Sequence, residues 1–271
     1  MPATRLTTKR VEKPWGRTDL PAAFGGAGDL RVGEIWFDAP DGRALSLLVK
    51  YIFTSENLSI QVHPDDAQAR ARGLPGGKSE CWYILDAEPG ATLAIGTTHR
   101  LDGEALRAAA LDGTLEGLMD WKPVRAGDYA YIPAGTIHAI GAGITLVEVQ
   151  QNNDVTYRLY DYGRPRELHL DDGVQVGRAE PYERPIQAAP LGQNRRLLEG
   201  DGIPFALDMV AWAAGEKVVL PSGQVWFVPI SGTGTLDAAP WRGGECWLLE
   251  GNSNLHVAEA TTGFLAWQHR I

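Results

Sequence analysis

The sequence predicts an all-β protein built from two barrel-like units, the first of which carries a short helical excursion. Three features lead there. Short runs rich in β-branched and aromatic residues recur between turn signals, and 32 glycines and 17 prolines supply the turns. The halves also share a weak internal repeat. Glu80-Cys81-Trp82-Tyr83-Ile84 followed by Gly90-Ala91-Thr92-Leu93 aligns with Gln224-Val225-Trp226-Phe227-Val228 followed by Gly232-Thr233-Gly234-Thr235-Leu236. Arg125-Ala126-Gly127-Asp128 likewise aligns with Arg242-Gly243-Gly244-Glu245. Two copies of one β unit explain such a pattern. In the second copy Gln224 takes the place of Glu80 and Leu255 that of His138, so a ligand held by those groups in the first unit is not expected in the second.

From the N-terminus, residues 5–53 read as short strands and turns, with β-branched and aromatic residues concentrated at 31–37 and 44–53. The loop 24–29 is no phosphate-binding fingerprint, since neither a lysine nor G-x-G-x-x-G follows it. In 58–63, Leu58, Ile60 and Val62 alternate with Ser59, Gln61 and His63, so three polar groups share one strand face. Pro64 at a first turn, Asp65 and Asp66 near the positive end of a helix dipole, and Gly73 past Arg72 then outline a short helix. After the turn 74–77, residues 78–85 read as a strand with Lys78, Glu80 and Trp82 on one face. Residues 102–121 break the β pattern: Asp102 caps a helix over 103–111, and Leu115, Leu118, Met119 and Trp121 mark a further helical turn or two. Strands resume at 128–132, 137–140, 144–150 and 156–162. Residues 177–193 hold Pro181, Pro185 and Pro190 with no apolar periodicity and read as a linker. Beyond it, strands at 205–212, 216–220, 224–230, 245–250 and 254–260 keep a regular spacing. The expected organisation is a first unit over 1–176, a linker over 177–193 and a second unit over 194–271.

Composition narrows the functional classes. At 271 residues the chain can bury roughly three quarters of its unfolded surface, and 44% hydrophobic with 22% charged residues is close to a globular average. Cys81 and Cys246 each sit in an apolar run beside a tryptophan, with no C-x-x-C pair, so neither is expected to be redox-active. The first ten residues carry Arg5, Lys9 and Arg10 with no apolar segment after them, and no run of 18 apolar residues occurs, so the expected location is the cytoplasm. A net charge of −9 repels nucleic acid and anionic membranes, leaving a small-molecule partner, and an anionic one needs a local basic cluster.

Gln61, His63, Glu80 and His138 are metal-ligand types placed on predicted strands. Taken singly, a histidine at a strand end is usually structural and a glutamate beside Lys78 usually an ion pair. Taken together, two imidazoles and a carboxylate, completed by an amide or water, suit a divalent ion such as zinc with a position open to substrate. The same set also holds Fe(II) in oxygenases.

Six runs, Lys13-Pro14-Trp15-Gly16, Gly33-Glu34-Ile35-Trp36, 58–66, 78–85, 126–140 and 143–165, together resemble type I mannose-6-phosphate isomerase in its short bacterial form, closely over residues 10–170 and in general pattern beyond. The resemblance implies two cupin (jelly-roll) units, the second without metal ligands. It further implies one zinc ion per chain, a monomer or homodimer, and interconversion of mannose 6-phosphate with fructose 6-phosphate. It places Gln61, His63, Glu80 and His138 at the zinc-ligand positions, Arg158 at that of the active-site arginine, Glu148 at that of a proton-transfer carboxylate, and Lys78 at that of the lysine two residues before the glutamate ligand. Gly77 departs from the pattern, standing where longer relatives often carry a histidine, and the chain has no room for their helical insertion.

The chemistry agrees with the resemblance. Moving a carbonyl between C1 and C2 means removing a proton beside it and returning it to the neighbouring carbon, through an enediol whose charge an arginine can stabilise. Glu148 and Lys78 offer the proton-transfer groups, although a carboxylate near its usual pKa is a weak base unless burial raises it. Lys78 could equally hold the phosphate or a sugar hydroxyl. Arg164 and Arg166, just past the Arg158 strand, could add positive field for a phosphate. A sugar-binding regulator without turnover is the third reading, and the presence of Glu148, Lys78 and Arg158 counts against it.

Overall fold

Strands that are apolar on both faces need cover on both, and the sheets are layered accordingly. The structure, a computed structural model, describes residues 3–268 apart from 27, 222 and 252, so Ala27 of the loop read over 24–29 lies outside the described residues. In Glu80–Ala87, Cys81 and Tyr83 enter one core while Trp82 and Ile84 enter another, and in Ile144–Gln151 Val147 and Val149 oppose Leu146 in the same way.

These strands belong to a seven-stranded antiparallel sheet in the order Gln187–Ala188, Asp128–Ile132, Glu80–Ala87, Ile144–Gln151, Leu47–Phe53, Val32–Asp38, Thr7–Arg17. One face looks onto a five-stranded sheet in the order Tyr157–Tyr160, Ile60–Val62, His138–Ile140, Thr92–Thr97, Met119–Pro123. The other packs through Tyr51, Phe53, Tyr83 and Val149 against Phe205, Trp226 and Phe264 of a six-stranded sheet formed mainly by the C-terminal third. A three-stranded sheet, Ala239–Arg242, Thr233–Leu236 and Leu255–Val257, lies beyond, and Trp212, Phe227, Trp241 and Trp247 fill the space behind it. Every sheet ends in two edge strands, so none closes on itself among the described residues, and the continuous barrels expected from the sequence are not formed.

The repeat is visible in the pairing. Glu80–Ala87 lies between Asp128–Ile132 and Ile144–Gln151, as Gln224–Ser231 lies between Trp247–Glu250 and Thr261–Gln268. Asp128 accepts from the Arg125 amide at 3.0 Å and Glu245 from the Arg242 amide at 3.3 Å, the same turn in both halves. The alignment itself is one residue out. Trp82 faces the core inside the first unit, whereas Trp226 faces the core between the two, and a single-residue slip exchanges the faces of a strand. Val225, buried and apolar, therefore stands at the place of Glu80, not Gln224.

Among the described residues four α-helical segments and one 3-10 turn, Ala22–Phe24, interrupt the sheets. Asp66–Ala71 is fixed by a capping box between Asp65 and Gln68, so Pro64 precedes the cap instead of opening the helix. Gly103–Asp112 is capped by Asp102 as expected, and Leu115–Leu118 follows it. Met119 and Trp121 are not helical, because Met119–Pro123 pairs with Thr92–Thr97 and the ladder overrides local propensity. The helix Leu170–Val176 had no clear signal, with Gly173 in its middle. Residues 216–220 contribute one bridge, Lys217 to His256, where a strand was expected. Among the described residues no helix is long and apolar enough to cross a membrane.

Candidate active site and metal centre

His63, Glu80 and His138 converge although each comes from a different strand or strand end. Backbone hydrogen bonds set that meeting: Gly135 N–H donates to His63 O at 2.8 Å, tying the turn before His138 to His63, and Lys78 N–H donates to Pro64 O at 3.0 Å, tying the start of the Glu80 strand to the same corner. One ligand atom from each of the three residues lies within 4.8 Å of the others, and all three side chains are about 1% exposed. His63 Nδ1 faces Val155 O at 2.9 Å and His138 Nδ1 faces Thr136 O at 2.9 Å. A carbonyl only accepts, so each ring carries its hydrogen on Nδ1 and turns the Nε2 lone pair inward, the tautomer a metal needs.

The electrostatics fit a cation. Burial, then the nearby charge of Lys78, pushes His63 down to about 3, and burial lowers His138, so both rings stay neutral. Burial disfavours the Glu80 carboxylate, but the charge of Lys78 holds it well below the usual range. Neither buried Glu80 oxygen accepts a well-aligned hydrogen bond, while Lys78 Nζ stands 2.9 Å from Oε1 and 3.2 Å from His63 Nε2. A buried carboxylate with lone pairs left over, facing two imine nitrogens, suits a divalent ion. Gln61 lies beside them, its Nε2 3.4 Å from His138 Nε2 and its Oε1 accepting from Ser59 Oγ at 3.1 Å. A half-turn of the amide would bring Oε1 to the histidines and leave Nε2 to Ser59, which accepts as readily as it donates.

Glu80, Gln61 and Lys78 line a cavity of about 370 Å³ between the seven- and five-stranded sheets, and His63 and His138 meet Glu80 just outside that lining. Two cross-strand rows flank the cavity. On the five-stranded sheet Arg158 pairs with Gln61 and Gln61 with His138. On the seven-stranded sheet Trp36 pairs with Lys50, Lys50 with Glu148 and Glu148 with Trp82. Glu148 is fully enclosed, receives Trp82 Nε1–H at 2.8 Å and stands 3.0 Å from Lys50 Nζ. Burial, followed by the charge of Glu80, raises its pKa, which is the change a carboxylate base requires. Burial works against a charged Lys50, but Glu148 and Glu34 outweigh it and raise its pKa.

Lys50, Glu34 and Lys13 were not singled out in the sequence. Lys13 Nζ lies 3.1 Å from Glu34, Glu34 accepts from Trp36 Nε1–H, and Lys50 Nζ lies 3.9 Å from Glu34. The available signal was Lys50 itself, the one charge in the otherwise buried strand Leu47–Phe53. Arg158 lines the cavity with Nη1 donating to Glu167 O at 2.8 Å and with Nε buried and unpartnered. Arg166 also lines it but is bound by both Nε and Nη2 to Asp161 at 2.6 Å. Arg164 does not line it, being held by Asp161, Glu56 and Asn57 O. Gly77 has a steric reason: a Cβ there would lie 2.7 Å from Asp66 N and 2.8 Å from Asp65 C, inside the corner that places His63.

Comparison with known proteins agrees with this geometry. No family model matches the chain. It is 34% identical over 205 residues to a probable mannose-6-phosphate isomerase of Bacillus subtilis, GmuF, covering 61% of this chain and 65% of that one. It is 42% identical over 159 residues to the mannose-6-phosphate isomerase of Streptococcus mutans, covering 56% and 49%. The match thus spans between about half and two thirds of these relatives' length. The crystal structure of mannose 6-phosphate isomerase from Bacillus subtilis superposes with a TM-score of 0.81 at 26% identity, over 98% of this chain and 99% of that one. In sequence and in fold the chain is similar to bacterial type I mannose-6-phosphate isomerases.

Proposed function

We propose that this protein is a zinc-dependent aldose–ketose isomerase that interconverts mannose 6-phosphate and fructose 6-phosphate through an enediol. The convergence of His63 and His138 on Glu80, which itself lines a cavity walled by Glu148 and Arg158, carries the reading. The similarity to mannose-6-phosphate isomerases supports the choice of substrate. His63, Glu80 and His138, with Gln61 beside them, would hold one zinc ion per chain, whose Lewis acidity would stabilise charge developing on the sugar oxygens. Glu148, desolvated and fixed by Trp82 and Lys50, takes the proton from C2 of the aldose and returns it to C1. Arg158 stabilises the enediol's oxygen charge. Lys78, 4% exposed beside Glu80, sits at the sugar end of the cavity and orients a hydroxyl or passes a proton there.

The same reading takes the architecture as two cupin-like units, each an open pair of facing sheets, over 1–176 and 194–271, with a linker over 177–193 that lends the strand Gln187–Ala188 to the edge of the first unit's seven-stranded sheet. The second has Val225 and Leu255 where ligands would stand, and aromatic side chains fill its interior. A small phosphosugar is the proposed partner, in the cytoplasm, with the chain a monomer or homodimer.

The test is a coupled assay for fructose 6-phosphate from mannose 6-phosphate, in oxygen-free buffer, before and after chelation, with glucose 6-phosphate as control. Turnover that chelation abolishes and zinc restores is expected. No turnover of any hexose phosphate by the metal-loaded protein refutes the reading, and a requirement for iron and oxygen would replace it with an oxygenase.

A further inference from the structure

Among the groups facing the cavity, His169 has no part in the chemistry above. It stands at the start of the helix Leu170–Val176 and lines the same wall as Arg158. Two hydrogen bonds tie it to the Arg158 backbone: His169 N–H donates to Arg158 O at 2.8 Å, and Arg158 N–H donates to His169 Nδ1 at 3.2 Å. A backbone N–H cannot accept, so Nδ1 must offer its lone pair, and the neutral ring then carries its hydrogen on Nε2. No acceptor among the described residues engages that Nε2–H. The ring therefore presents a donor of fixed tautomer and fixed orientation on a cavity wall.

Its neighbours say what it would meet. Arg166, which also lines the cavity, gives two of its five N–H groups to Asp161, and Lys13 is paired with Glu34 across the cavity. Donor capacity left beside His169 belongs to the remaining Arg166 N–H groups as well as to Arg158, which has one bond to Glu167 O and is assigned above to the enediol. A neutral donor of fixed orientation, lining one cavity with a cationic Arg166 guanidinium that has N–H groups to spare, suits an anionic oxygen group. We infer that His169 is a substrate-binding residue whose Nε2–H donates to a phosphoryl oxygen of the sugar phosphate. This rests on the isomerase reading for the identity of the substrate.

Two replacements separate this role from a purely structural one. His169→Asn keeps a short acceptor for Arg158 N–H and suits a helix N-cap, but its amide falls short of the Nε2 position. His169→Gln reaches that position with an N–H donor. In the zinc-loaded enzyme, Asn is expected to raise KM for mannose 6-phosphate about tenfold or more, the loss for one hydrogen bond to a charged acceptor, with a smaller effect on kcat. Gln is expected to recover much of that loss. The affinity for inorganic phosphate, titrated calorimetrically, should fall in Asn and not in Gln. Unchanged KM and phosphate affinity in Asn, or equal losses in Asn and Gln, would overturn the assignment. Failure of the isomerase reading would show separately, as a wild-type protein that turns over no hexose phosphate, and the phosphate titration would still decide whether His169 holds the anion.

Discussion

Replacing Lys50 by Met tests whether the buried charges of the seven-stranded sheet work as a unit. Lys50 Nζ is 3.0 Å from Glu148 and 3.9 Å from Glu34, and all three residues are under a tenth exposed. Removing the ammonium leaves Glu148 enclosed near Glu80 with its nearest counter-charge gone. Breaking a buried pair from one side costs about 3–5 kcal/mol, and in a chain of this size each kcal/mol moves Tm by about 2–4 °C. Lys50→Met should therefore lower Tm of the metal-free protein by roughly 6–20 °C. Adding Glu148→Gln removes the stranded charge and keeps an acceptor for Trp82 Nε1–H, so the double variant should recover at least half of the loss. The pH dependence has a definite sign. Burial and Glu80 already raise Glu148, and without Lys50 the folded chain holds that proton more firmly than the unfolded chain. Stability then falls as pH rises, so the gap in Tm from wild type should be wider at about pH 8 than at about pH 5. Thermal unfolding followed by circular dichroism at both pH values measures it. A loss below about 1 kcal/mol, which is the range of exposed pairs, or a double variant no more stable than Lys50→Met, would refute the reasoning.

Three further outcomes are expected. His138→Ala should lose bound metal and turnover together, while His256→Ala, in the second unit, should keep both; metal analysis of the two proteins decides, and normal metal content in His138→Ala would contradict the ligand assignment. Arg158→Ala should lower kcat and kcat/KM alike by about a hundredfold, with Lys a poor substitute; a raised KM at unchanged kcat would move Arg158 to binding alone. Gly77→Ala should destabilise the metal-free protein by about 1–3 kcal/mol, because the corner carrying Asp65 and Asp66 must move, and an unchanged melting temperature would show that it yields freely.

What the sequence by itself determined is the local chemistry. Alternation in 58–63 placed Gln61 and His63 together, alternation in 78–85 placed Glu80 with Trp82, and the Arg125 turn announced its copy at Arg242. The six runs that resemble mannose-6-phosphate isomerases marked the side chains that the folded chain brings to one cavity. Tertiary structure decided the rest, because register, tautomer and counter-charge depend on partners far away in the chain. Trp226 shows it for register: the sequence aligns it with Trp82, yet the sheet turns it to the opposite face. Met119 shows it for secondary structure, where pairing with Thr97 outweighs helix propensity. Lys50 and Glu34 read as ordinary charges until cross-strand pairing brings them near Glu148 in a buried site, where a few ångströms decide whether a carboxylate is a weak acid or a base.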